Sequence, residues 1–217
     1  TGEFDPVTFQ PLTGPILDDP TPVGFFVRGY EYRLFGLIHA DRHFFGSTDG
    51  RPIHLLGTDK FGRDILSRGI YGSRISLLIA FAVVTITTAV GTLVGITSGY
   101  LGGTVDNIVQ RFVDFVLAFP QLPLYLALTS LVPLTAPSKF FIAFVIAVLA
   151  ALGWAQLSRE VRSKTLALAR IDYVRAAIAV GSSDLRIITR HILPNVLSHI
   201  IVAVTLAIPT VVLLESF

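Results

Sequence analysis

The chain has 217 residues, of which 52% are hydrophobic and only 15% charged, and its formal net charge is +2. With a mean hydropathy of +0.69, this composition excludes an ordinary soluble domain, where about a quarter of residues are charged, and the small net charge gives no footing for nucleic acid. The absence of Cys removes disulfides, thiolate metal sites and Cys nucleophiles; the absence of Met, even at position 1, reads as a fragment or a processed chain.

Residues 1–53 form a polar stretch dotted with Pro and Gly, without sustained periodicity but rich in aromatics (Phe25, Phe26, Tyr30, Tyr32, Phe35, Phe44, Phe45). So many aromatics argue against disorder, and an irregular, partly ordered extramembrane region is expected. In residues 54–74 glycines alternate with charge pairs, Asp59 with Lys60 and Arg63 with Asp64. Thr58 or Asp59 is placed to cap a short helix through Arg68 that lies in the membrane interface. No G-x-x-x-x-G-K-[ST] occurs anywhere, so nucleotide hydrolysis through that loop is excluded.

Four apolar stretches follow, and they predict an all-α, polytopic helical bundle. Ile75 to Ile96 is uncharged and long enough to cross a hydrocarbon core of about 30 Å. Gly91, Gly95 and Gly99 recur at i, i+4 and i+8, a smooth stripe that lets a neighbouring backbone come close. A short connection over 100–114 turns at Gly102-Gly103. The second span, about Phe115 to Val132, contains Pro120 and Pro123, which must kink or break it. A broken helix in lipid is tolerated against protein or water, so Pro120 and Pro123 are candidate pathway-lining residues. The third span runs from Phe140 to Leu157 with Trp154 as an interface anchor, and the fourth from Val196 to Leu214 with His199 one turn inside.

Between the last two spans lies the long polar interval 158–195, with seven Lys and Arg against three acids. The positive-inside rule makes it cytoplasmic. Counting back through the spans puts 1–74 on the extracytoplasmic side. Apolar residues recur through the interval at helical spacing, which predicts two short helices broken at Gly181 and closed at Pro194. Asp172 to Val180 carries Ala176, Ala177 and Ala179, a surface smooth enough for close approach. Gly181 suits a helix C′ position needing positive φ. Ser182 or Ser183 can cap the second helix, Asp184 favours its first turn, and Leu185, Ile188 and Ile192 share a face. A basic loop drawn to anionic lipid would explain the charge, but not the Ala cluster, Gly turn and second cap together.

Ala176-Ala177, Gly181 and Ile192-Leu193-Pro194 resemble the EAA signature of bacterial ABC importer permeases. Arg175 stands in place of the leading Glu, and the residue between Ile and Leu is missing. The stretches HLLGTDKFGRDILSRGIYGSRISL, SGYLGGTVDNIVQRFVDFVLAFPQL and DYVRAAIAVGSSDLRIITRHILPN are similar to the C-type permease of dipeptide, oligopeptide and nickel importers. The resemblance covers about residues 54–217. It implies a type I importer transmembrane domain over 75–217, with four spans here and six in a whole subunit, in a bacterial or archaeal cytoplasmic membrane. It also implies a second permease subunit, two ATPase subunits that hold ATP-Mg, and an extracytoplasmic substrate-binding protein; this chain itself would carry no cofactor, metal or catalytic residue. The coupling residues it implies are Arg175, Ala176, Ala177, Gly181, Ser182, Asp184 and Pro194, and the stretch 29–47 resembles variants linked to peptide-like cargo. The alternatives are a secondary transporter, which would need more intramembrane ionisable residues than these spans show, and a membrane-bound enzyme, for which no H-E-x-x-H or convergent acid–base set is present.

Overall fold

The computed structural model describes residues 21–34, 37–133 and 135–216. The chain divides into two compact units, Thr1–Gly69 and Ile70–Phe217. Residues 1–20, and Phe35 among the aromatics named above, lie outside the described residues.

The first unit differs from the irregular region expected. Strands β1 (Val23–Leu34) and β2 (Ile38–Ser47) pair antiparallel. Phe25 faces Phe45 and Val27 faces His43 in the register, and the Phe25 ring meets Phe44 and Phe45 edge-on at 5.6 and 5.8 Å. Aromatic and β-branched residues gain most from such cross-strand pairs. Their partners lie some twenty residues away in sequence, so the pattern is not visible locally. Between Arg28 and Tyr32 the register shifts, which disguises the strand's alternation.

After the hairpin, Asp59 organises the turn that leads into the first helix. Its carboxylate accepts the backbone N–H groups of Phe61 (2.9 Å) and Arg63 (3.0 Å) and pairs with the Arg63 and Arg68 guanidinium groups. These bonds, the Arg63 N–H foremost, hold the Asp59 carboxyl down at about 2. The capping residue is therefore neither Thr58 nor Asp59. Asp64 takes that place, accepting the Ser67 N–H at 2.8 Å. The helix it starts, α1 (Ile65–Leu101), is one element of 37 residues rather than an interfacial helix followed by a span.

The second unit is helical throughout its regular structure: α2 (Gly103–Leu117), α3 (Gln121–Thr129), α4 (Ser138–Leu168), α5 (Asp172–Ala179), α6 (Asp184–Ile187), a π turn (Ile188–Ile192) and α7 (Leu193–Glu215). Among the described residues three helices are long and apolar enough to cross a membrane, Ile65–Leu101, Ser138–Leu168 and Asp184–Glu215. The pair α2 and α3, bent by 71°, makes up to a fourth. Leu77, Phe81, Leu93, Ile201 and Leu206 are all exposed, which suits lipid as the surrounding solvent. The interior holds two apolar clusters. One gathers Ile79, Val83, Tyr125, Val145, Leu149 and Val211, and the other Ile96, Val161, Val174, Ile187, Ile192 and Val196.

Three boundaries depart from the sequence reading. The connection at 100–114 shrinks to Gly102, and α2 begins at Gly103; both glycines take positive φ (64° and 57°), which a residue with a Cβ resists. The expected span at 115–132 is broken outright: Pro120 sits at the N-cap of α3 and Pro123 in its first turn, where a missing N–H costs nothing. Helix α4 runs eleven residues past Leu157, so Trp154 lies in mid-helix, donating its indole N–H to the Ala151 carbonyl at 2.9 Å and stacking on Phe112.

The glycine stripe does what its spacing suggests. A Cβ on Gly91 would stand 2.9 Å from the Trp154 carbonyl oxygen, on Gly95 2.6 Å from that of Ser158, and on Gly99 2.8 Å from that of Arg162. Helices α1 and α4 thus touch backbone to backbone along three successive turns, the small-residue contact by which helices associate in lipid.

Candidate functional site

The interval 158–195 is anchored at both ends by helices that run into it. Its first third is the end of α4, and its last part is continuous with α7. Between them, α5 ends in a Schellman motif. The Ser182 N–H reaches the Ala177 carbonyl at 3.1 Å, the Gly181 N–H reaches that of Ile178 at 2.9 Å, and Gly181 adopts φ +80°. Gly181 is therefore the C′ residue, as its place in the sequence suggests. Ser183 occupies the N-cap of α6 without a side-chain bond. Asp184, in the first turn, accepts the Tyr100 hydroxyl at 2.7 Å and so ties α6 to the end of α1.

Pro194 does not close this element. The helix passes through it, because the turn before it widens: the Leu193 N–H bonds back to the Ile188 carbonyl, and Ile188–Ile192 form a π turn. Widening relieves the clash of the proline ring with the carbonyl four residues earlier. The wider turn also changes which residues share a face. Ile187 and Ile192 are fully buried, whereas Leu185, expected beside Ile188 and Ile192, is 72% exposed.

The inner side of this element packs through Val174, Ile187 and Ile192 against Val161 of α4 and Val196 of α7, with Ala177 half-buried at the edge. The outer side presents Arg175, Ala176, Ile178, Val180, Gly181, Leu185 and Arg186, all exposed. The product is a rigid helix–turn–helix with a small apolar face and two arginines on it.

Two ion pairs brace α2 against α4. Asp106 takes a two-pronged contact from Arg162, both bonds 2.5 Å, and accepts the Ser98 hydroxyl of α1 at 2.5 Å. Arg159 pairs with Asp114. Sequence reasoning missed these partners by placing the acids in one loop and the arginines in another. The signal was present: acids two turns apart on one helix, arginines one turn apart on the other.

A cavity of about 380 Å³ opens among α1, α3, α4 and α7. Pro120 and Pro123 do not line it; Gln121 and Tyr125 of the same helix do. Gln156 and Glu160, one turn apart on α4, also line it; Glu160 was missed because the helix outlasts its apolar stretch, and Gln156 because a single amide inside the expected third span gives no signal of its own. Glu160 lies 3.2 Å from His199 Nε2 through one oxygen and accepts the Gln156 amide at 3.0 Å through the other. His199 is thus a hydrogen-bonded residue. Among the described residues, no three His, Cys, Asp or Glu side chains are grouped to hold a metal.

Residues 91–217 match the family described as "Binding-protein-dependent transport system inner membrane component". The chain belongs to this family. It is 38% identical over 164 residues to the oligopeptide transport system permease protein OppC of Haemophilus influenzae, covering 76% of this chain and 51% of that protein. It is 34% identical over 188 residues to OppC of Bacillus subtilis (87% and 58%) and 39% identical over 164 residues to the dipeptide transport system permease protein DppC of Haemophilus influenzae (76% and 54%). The chain spans about half the length of these curated relatives. The family membership makes it a multi-pass inner membrane protein, consistent with its three long apolar helices and one bent pair.

Proposed function

We propose that this chain is a permease subunit of an ATP-driven importer, forming part of the translocation pathway for peptides or related small solutes and performing no chemistry of its own. Its partners are a second permease subunit, two separate ATPase subunits that bind ATP-Mg, and an extracytoplasmic binding protein that delivers cargo. The observation that carries the reading is the outward face of α5 and α6: exposed and small-surfaced, yet fixed from behind by fully buried Val174 and Ile187. Family membership and the similarity to peptide permeases support it.

The residues divide by what each does. Arg175, Ala176 and Gly181 stand on the docking face. Ser182, through its backbone N–H, and Ala177 hold the turn, Asp184 ties it to Tyr100, and Pro194 sets the widened turn into α7. ATPase closure would push this element, which is continuous with α7, and so tilt α7 against α4 and change the shape of the cavity between the helices. With 158–195 cytoplasmic by its basic charge, residues 1–74 face the binding protein's side.

Ala176→Arg tests this, since the position is exposed and the variant is expected to fold. In the reconstituted complex it is expected to lower ATPase co-purification and peptide uptake together, by about tenfold or more. Full co-purification with normal uptake would overturn the assignment.

A further inference from the structure

From the cavity among α1, α3, α4 and α7 we infer a contact site for the cargo's protonated amino group, with Glu160 as its anionic partner. This rests on the permease reading and names the chemistry that one part of the pathway accepts.

Two of the cavity's hydroxyls have already committed their protons to their own helices. Thr87 donates its hydroxyl proton to the Val84 carbonyl at 3.1 Å, and Thr210 donates to that of Leu206 at 3.1 Å. Both hydroxyl oxygens are left to offer lone pairs to the cavity they line. Glu160 adds a carboxylate, and its side chain is 37% exposed. Gln121 and Gln156 can present amide oxygens. No Lys, Arg or His is among the described residues that line the space.

The neighbouring charges on α4 are already committed. Arg159 pairs with Asp114 and Arg162 with Asp106, both on α2. Glu160 has only Gln156 and the His199 ring, which is a full countercharge only when protonated. A carboxylate at the cytoplasmic end of the bundle that opens on a cavity, with a single His as its ion-pair partner, can meet a cationic group passing there. An ammonium group supplies the missing positive charge; a carboxylate or phosphate would meet a like charge at Glu160. Glu160 therefore favours the amino end of a peptide.

The test uses the full transporter in nanodiscs, without binding protein. Saturation-transfer NMR compares alanine amide, which carries the ammonium, with N-acetylalanine amide, which does not. The wild type is expected to prefer alanine amide by about tenfold, Glu160→Gln to lose the preference, and Glu160→Asp to keep part of it. No preference in the wild type, or an undiminished one in Glu160→Gln, overturns the inference. Because the two probes are compared within one sample, a general loss of folding cannot mimic a selective loss. Uptake of alanylalanine by the wild-type complex in proteoliposomes, supplied with its binding protein and ATP, is read separately. Uptake without amine preference refutes this site alone, whereas an assembled complex that moves no peptide refutes the permease reading itself.

Discussion

Helix α4 has two seams of opposite character. Against α1 it closes down to backbone contact: Gly91, Gly95 and Gly99 admit the Trp154, Ser158 and Arg162 carbonyls, and Ser158, Val161 and Thr165 are fully buried there. Against α7 it packs at Val161, Val196 and Ile200 but leaves room beyond them, where Gln156 and Glu160 line a cavity of about 380 Å³ shared with α1 and α3. One helix thus carries a dry, close-packed joint and an open polar one. In lipid, where apolar surface gives no drive for helices to associate, the first kind of seam holds and the second can open. The α2 brace through Asp106–Arg162 and Asp114–Arg159 reinforces the side that holds.

The comparison can be broken most severely at the brace. Arg162→Ala would leave Asp106, 8% exposed, as a buried carboxylate with only the Ser98 hydroxyl for support. A cost of about 3–5 kcal/mol is expected, read as a large fall in the thermal midpoint of the purified complex. Arg162→Lys should restore part of it, since the charge returns without the two-pronged fork. A wild-type midpoint for Arg162→Ala would mean that the brace contributes nothing to the closed side.

A smaller effect is expected at the glycine joint. Gly95→Ala places a methyl 2.6 Å from the Ser158 carbonyl oxygen and 2.8 Å from Val161 Cβ, so the helices must part. The expected loss is about 1–3 kcal/mol by the same measurement. Gly69→Ala, on the same helix with nothing within 4 Å of its added methyl, should be neutral or better. Equal effects at the two positions would dissolve the distinction between a joint and an open face.

Why one seam was legible in the sequence and the other was not follows from locality. The glycine stripe declares itself by spacing alone, as does Gly181, because only a C′ residue with positive φ suits that point between two helices. Glu160 was hidden because a span's apolar stretch ends before its helix does: α4 carries its hydrogen bonds past Leu157 to Leu168, and the polar end of a helix reads as loop. Helix α2 was hidden in the same way, since Asp106, Arg111 and Asp114 argue against a bundle helix until Arg159 and Arg162 are seen opposite two of them. The hairpin at Val23–Ser47 depends on partners in another strand, and the π turn before Pro194 depends on how the ring's clash is relieved. Neither is a property of a short window.

The two seams also separate under turnover, and that is the most direct test of the account. Spin labels at Leu93→Cys on α1, Ser163→Cys on α4 and Val202→Cys on α7, all exposed positions, give two distances across α4 in the assembled transporter. Between nucleotide-free and ATP-bound states the Ser163–Val202 distance is expected to change by about 2 Å or more, while the Leu93–Ser163 distance holds. A moving glycine seam beside an unchanged α4–α7 distance would contradict the account.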